Sequence, residues 1–173
     1  MELFEALFTR RSVRDYTDRP VSEETVEKLL RAAMAAPSAG NQQPWRFIVV
    51  RDRGRLQAAA EVERYGGMIA HAQVAVVICA DLDLVENEGF WQQDCAAATQ
   101  NLLLAAHALG LGAVWVGTYP REERVEGLRP IFDLPENLVP FSVVPVGYPA
   151  TSPAPIDRFN SSRVYIDKYE ARP

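Results

Sequence analysis

Arg10-Arg11-Ser12-Val13-Arg14 sets three guanidinium groups and a hydroxyl within five residues. Guanidinium forks hold phosphate oxygens in pairs, and serine adds a neutral donor. The cluster suits one compact anion, such as the phosphate of a small cofactor. It suits equally a solvated turn whose arginines favour a helix C-terminus. Larger polyanions fit poorly, because 23 Asp+Glu face 18 Lys+Arg, a formal net charge of -5, without the broad basic surface that nucleic acid or a membrane needs. Lysine occurs only at Lys28 and Lys168, so an anion must meet arginine, amides or hydroxyls, and a Schiff-base lysine is not expected.

A second polar group lies between Pro37 and Pro44, where Ser38, Asn41, Gln42 and Gln43 bring a hydroxyl and three amides to a loop stiffened by proline. Amides offer a donor and an acceptor, as a heterocycle with carbonyl and N–H edges requires. Ordinary helix-to-strand turn chemistry accounts for the same residues. Other candidates point to structure. His71 and His107 stand alone in apolar surroundings, and Asp94 reads as a cap or structural acceptor. Phe90 and Trp91 read as packing at a helix start. Gly110-Leu111-Gly112 follows a helix and lacks a third glycine, so it reads as a helix stop rather than a dinucleotide fingerprint. Cys79 and Cys95 are too dispersed for a disulfide framework or a zinc site, and no metal is expected.

The elements that must position these residues are legible from periodicity. Leu3, Phe4, Leu7 and Phe8 form a helical stripe that ends at the arginines. Ser22 caps a second helix whose apolar face is Val26, Leu29, Leu30, Ala33 and Met34, stopping at Pro37. Strands are expected over 45–50, 74–80, 113–116 and 141–146, with 74–80 continuously apolar and covered on both sides. Helices are expected over 53–64, 91–109 and 121–128, the longest apolar on nearly every face and therefore buried in a core or against a partner. The succession lacks strict βαβ alternation, which favours an α+β sheet flanked by helices. At 173 residues one domain, 1–173, is expected, with 149–173 a proline-bearing C-terminal arm. No apolar run suits a membrane span and no leader pattern opens the chain, so a cytoplasmic location is expected.

Taken in order, Arg10–Arg14, Ala36–Phe47, Asp94–Ala98 with Asn101–Ala106, Gly110–Gly112, Trp115–Gly117, Val146–Pro149 and Ile156-Asp157-Arg158 closely resemble the FMN-dependent nitroreductase family over essentially the whole chain. The resemblance implies a central mixed, mainly antiparallel β-sheet flanked by helices in an intertwined homodimer, with the arm contacting the partner subunit. It implies that Arg10, Ser12 and Arg158 hold the FMN phosphate, with Arg11 in the same cluster, and that Arg14 faces the pyrimidine edge of the flavin. Pro37, Ser38, Ala39, Asn41 and Gln43 would approach from the other subunit, and Gly117 and Thr118 would offer backbone beside the ring. The implied activity is NAD(P)H oxidation with hydride transfer through flavin N5 to a nitroaromatic, quinone or similar acceptor by a ping-pong route. The resemblance implies no catalytic side chain, since the flavin carries the chemistry. Alternatives within the resemblance are a dehalogenase, a dehydrogenase, a flavin-fragmenting enzyme, or a flavin module without turnover. The chain departs from longer members at Arg14 and Ile156, where lysines are common, and shows no polar counterpart pair over 61–73.

Overall fold

A computed structural model describes residues 1–169, so the last four residues of the arm lie outside the described part. Besides short 3-10 turns, ten α-helices and β-strands follow one another among the described residues: α1 (Leu3–Thr9), α2 (Glu23–Met34), β1 (Trp45–Val50), α3 (Arg53–Val62), β2 (Val74–Asp81), α4 (Trp91–Ala108), β3 (Gly112–Ala113), β4 (Val116–Gly117), α5 (Glu122–Phe132) and β5 (Leu138–Gly147). The five strands form one sheet in the order β1-β2-β5-β3, with β4 also on β5. Every ladder is antiparallel; the parallel element is a single bridge from Ser12 to Ala113.

Alternation along β2 builds both cores at once. Val74, Val76, Ile78 and Ala80 pack with α2 and α4 on one face, while Ala75, Val77 and Cys79 pack with α3 and α5 on the other. A strand buried on both sides needs apolar residues at every position, which is why no polar residue breaks this run before Asp81. Ser22 caps α2 by accepting from Thr25 N at 3.2 Å.

Three expectations are corrected. The strand expected over 113–116 is two short pieces, β3 and β4, because the chain leaves β5 at Val114 and Trp115 and rejoins it in the same register. The helix expected over 121–128 runs on to Phe132, burying Leu128 and Phe132. Gly110, not Gly112, stops α4, since only Gly110 has a left-handed φ of 74°. Gly112 serves a close approach instead, because a Cβ there would lie 2.6 Å from Val13 Cγ1.

The ladder between β2 and β5 shifts register at Ile78/Cys79, where Pro140 faces Cys79 and Phe141 is the extra residue. The freed Phe141 carbonyl accepts from Thr118 N and Tyr119 N, both at 3.1 Å. The bulge thereby anchors the end of β4.

Candidate functional site

The arginine segment leaves α1 and is clamped to the sheet edge before it can wander. Val13 N donates to Ala113 O at 3.0 Å, Thr17 N to Tyr148 O at 2.8 Å, and Ala150 N to Asp15 O at 3.0 Å. The Tyr16 hydroxyl donates to Val13 O at 2.8 Å, and its ring sits where a Cβ on Gly147 would come within 3.0 Å. Burial raises the Tyr16 phenol pKa, against the opposing charge of Arg14.

Beyond this clamp, Leu7–Arg11 and Pro155–Phe159 line a cleft of about 840 Å³. Arg10 and Arg158 share it, and Arg10 is held below the ordinary arginine pKa by burial, then by Arg158 and Arg11. Among the described residues none of Arg10, Arg11, Arg14 and Arg158 forms an ion pair with a carboxylate. Arg11 Nε is buried with no hydrogen-bond partner among them. Crowded guanidinium groups with an unpartnered buried donor are the arrangement an anion relieves. Ser12 and Arg14 are exposed beside them. Thr9 Oγ1 lies 2.8 Å from His107 Nε2, tying the root of the cluster to the C-terminal end of α4.

The 37–44 loop sits at the opposite end of α4. Asp94, buried in the first turn, accepts from Ala39 N at 2.9 Å and from Gln42 Nε2 at 2.7 Å, so it is the structural acceptor expected. Gln42 Oε1 accepts from the N–H groups of Glu86 and Asn87, each at 3.0 Å, binding the loop to the acidic connection before α4. Ser38 Oγ accepts from Gln43 N at 3.0 Å, and Gln43 Nε2 donates to Asn41 Oδ1 at 2.9 Å. Gly40, Asn41 and Gln43 all take left-handed φ angles of 57°, 58° and 47°. Asp94 and His107 are thirteen positions apart, roughly 20 Å of helix at 1.5 Å per residue, so the loop and the root of the arginine segment attach at opposite ends of α4.

Gly117 is exposed, and a Cβ there would meet nothing closer than Trp115 Nε1 at 3.9 Å, leaving an open backbone face. Thr118 is buried; its N–H is committed to Phe141 O, and its hydroxyl donates to Glu63 Oε1 at 2.5 Å. Arg124 Nη1 lies 3.1 Å from Glu63 Oε2 and donates to Gly117 O at 2.7 Å.

The nitroreductase family model matches residues 7–92 and 56–148. The chain belongs to the nitroreductase family. It is 53% identical over 169 residues to a Methanothermobacter thermautotrophicus protein named "Putative NADH dehydrogenase/NAD(P)H nitroreductase", covering 98% of this chain and 88% of the relative. A Thermus thermophilus protein named NADH dehydrogenase is 33% identical over 93% of both chains. A solved Desulfovibrio desulfuricans structure in complex with FMN superposes with a TM-score of 0.86 at 36% identity, covering 98% of this chain and 99% of that one.

Within this nitroreductase-family chain, two site-shaping residues escaped the sequence reading. Gln42 was legible only as an amide in a turn, because its three partners, Asp94, Glu86 and Asn87, are distant in sequence. Glu63 carried no motif; its carboxylate is 1% exposed because α5 brings Arg124 across it. The sequence signal available was weak: a glutamate at the end of a helix with an apolar face. Burial raises the Glu63 pKa above the usual carboxylate range, opposed by Thr118 and Arg124 and assisted by Glu123. A raised carboxyl contributes stability that is full below its unfolded value and is lost as pH rises through its folded value. Glu63→Gln, which does not titrate, is therefore expected to gain on the parent as pH rises from 4 to 8, read as the difference in urea midpoints.

Both cysteines are buried, with burial pushing each thiol up to about 12, so neither offers a thiolate at neutral pH. Among the described residues no helix is long and apolar enough to cross a membrane.

Proposed function

We propose that this protein is an FMN-dependent NAD(P)H oxidoreductase acting on nitroaromatics, quinones or similar electron-poor acceptors, working in the cytoplasm as a homodimer. The observation that carries the reading is the convergence of Arg10, Arg11 and Arg158 on one cleft with a buried donor unpartnered. These residues fit a phosphate monoester: it would accept from the guanidinium forks and offset the burial and the repulsion from Arg158 and Arg11 that hold Arg10 below its ordinary pKa. Ser12 adds a hydroxyl. Arg14, exposed on the same clamped segment, is placed to hold negative charge at the pyrimidine edge of a flavin. Bound FMN supplies hydride transfer from NAD(P)H to the acceptor, each using one site in turn, which gives ping-pong kinetics.

Two features support a second copy as the source of the remaining wall. The 37–44 loop and the arginines of its own chain stand at opposite ends of α4. The stripe Leu3, Phe4, Leu7 and Phe8 faces outward, with Phe4 and Phe8 stacked at 6.0 Å and 68% and 69% exposed, while Ala6 alone in α1 is buried. An apolar face of this kind on a short helix calls for a partner. Ile156, Phe159 and Ile166 of the arm are exposed as well, and the arm is assigned to the same contact. The whole chain acts as one FMN-binding domain.

The test is the visible spectrum of purified protein reconstituted with FMN. A yellow protein that NAD(P)H bleaches without oxygen, and that a nitroaromatic or quinone re-colours through many cycles, is expected. Bleaching without sustained acceptor-dependent turnover would favour a redox module, and failure to take up FMN would end the reading.

A further inference from the structure

Glu63 lies at the end of α3, far along the chain from both polar clusters, yet it is among the most buried residues of the protein. A carboxylate removed from water is costly unless the fold gives it partners. Here the partners come from one short stretch. Oε1 accepts the Thr118 hydroxyl, and Oε2 faces Arg124, whose other contact is Gly117 O at 2.7 Å. Thr118 and Gly117 also hang from β5 through the Phe141 bulge and the Gly117–Ser142 pairing. The open face of Gly117 is thus held from below by one buried acid acting through two intermediaries. The turn after α3 passes close to Glu63, since a Cβ on Gly66 would lie 2.5 Å from Glu63 Cβ.

We propose that Glu63 is a positioning residue for the flavin: through the buried Thr118 and through Arg124 it fixes the exposed Gly117 backbone, against which the flavin ring would rest. The proposal rests on the FMN reading given above, extended by the place beside the flavin ring that the family resemblance gives Gly117. Glu63 touches neither cofactor nor substrate, and its effect reaches the flavin only through the floor it supports. The floor is a bare glycine backbone, so a displacement of a few tenths of an ångström changes the packing and polarity met by the ring.

The test compares FMN-loaded Glu63→Ala, Thr118→Val and Thr118→Ser with the parent, measuring FMN dissociation constant, the flavin absorption bands and the midpoint potential. Glu63→Ala and Thr118→Val are each expected to weaken FMN binding by about tenfold and to move the bands and the potential, since a buried hydrogen bond to a charged group is lost. Thr118→Ser keeps the hydroxyl and is expected to match the parent. The double variant Glu63→Ala/Thr118→Val is expected to be no worse than its weaker-binding single, because both break one chain of contacts. Val62→Ala, which loosens the packing of α3 on Gly127 of α5 without touching the polar chain, is expected to lower the melting temperature and leave the flavin signals unchanged. Altered stability with parental affinity, bands and potential in Glu63→Ala and Thr118→Val would overturn the proposal, as would additive losses in the double variant. A parent that takes up no FMN fails the FMN reading itself, whereas a flavin-loaded parent with indifferent variants fails only the role given to Glu63.

Discussion

Arg10→Ala and Arg158→Ala are each expected to weaken FMN retention by about a hundredfold, from the loss of charge-assisted, paired bonds to a phosphate. Neither is expected to harm the fold. The two guanidinium groups repel each other across the cleft, and neither forms an ion pair among the described residues. Removing one strips no carboxylate of an ion-pair partner among the described residues, so the melting temperature of the FMN-free protein is expected to hold or rise slightly. Equilibrium dialysis with FMN, with riboflavin as the phosphate-free control, separates the phosphate assignment from a general loss of the site. The parent is expected to prefer FMN strongly, and each variant to lose that preference. Undiminished FMN affinity in both would remove the arginines from the cofactor.

Gly112→Val carries the other large effect. A Cβ at this position would lie 2.6 Å from Val13 Cγ1 and 2.8 Å from Val13 Cβ, closer than side-chain atoms approach. Val13 is held between its backbone bond to Ala113 and the Tyr16 clamp, so the arginine segment must give way. Overpacking of this order costs about 1–3 kcal/mol. The displaced residues are the immediate neighbours of Ser12 and Arg14, so FMN affinity is expected to fall further than stability. Gly67→Ala is the control, because a Cβ there meets nothing within 4 Å. Urea midpoints together with FMN titrations distinguish a segment that has moved from a protein that has merely weakened.

Much of the architecture could be read before any coordinates. The unbroken apolar run of β2 announced a strand covered on both faces, and the nearly all-apolar pattern of α4 announced a central helix. Asp94 read correctly as an acceptor because an acid in the first turn of a helix has few other uses. Other features depend on what a residue meets rather than on what it is. The α1 stripe had the right period for a core-facing helix, yet period says nothing about which surface covers it, and in the single chain Ala6 faces inward instead. Gly112 looked like a second helix stop because glycine serves turns and close approaches alike. The break between β3 and β4 follows from the way both pair with β5, which neither short sequence encodes alone. Gln43 was placed with the cofactor residues, and its side chain is turned onto Asn41, a contact set by the left-handed backbone at both positions. Glu63 became visible only when Arg124 and Thr118 closed over it.

The central claim is that one flavin site is built by two chains, with the arginine cluster from one and the 37–44 loop from the other. Complementation between two damaged chains tests it most directly. One chain carries Arg10→Ala and Arg158→Ala. The other carries Gly40→Val, which forces a β-branched side chain onto a φ of 57° and against Asn87 Nδ2, together with Asp94→Ala, which removes the two bonds that tie the loop to α4. Each chain alone is expected to retain no FMN. Co-refolded and purified through different tags as the mixed species, they bring one intact pair of walls together and one doubly damaged pair. The expected result is a yellow mixed dimer holding one FMN per two chains, with NAD(P)H-dependent bleaching restored. A mixed species as colourless as its parents would place both walls on the same chain and contradict the account.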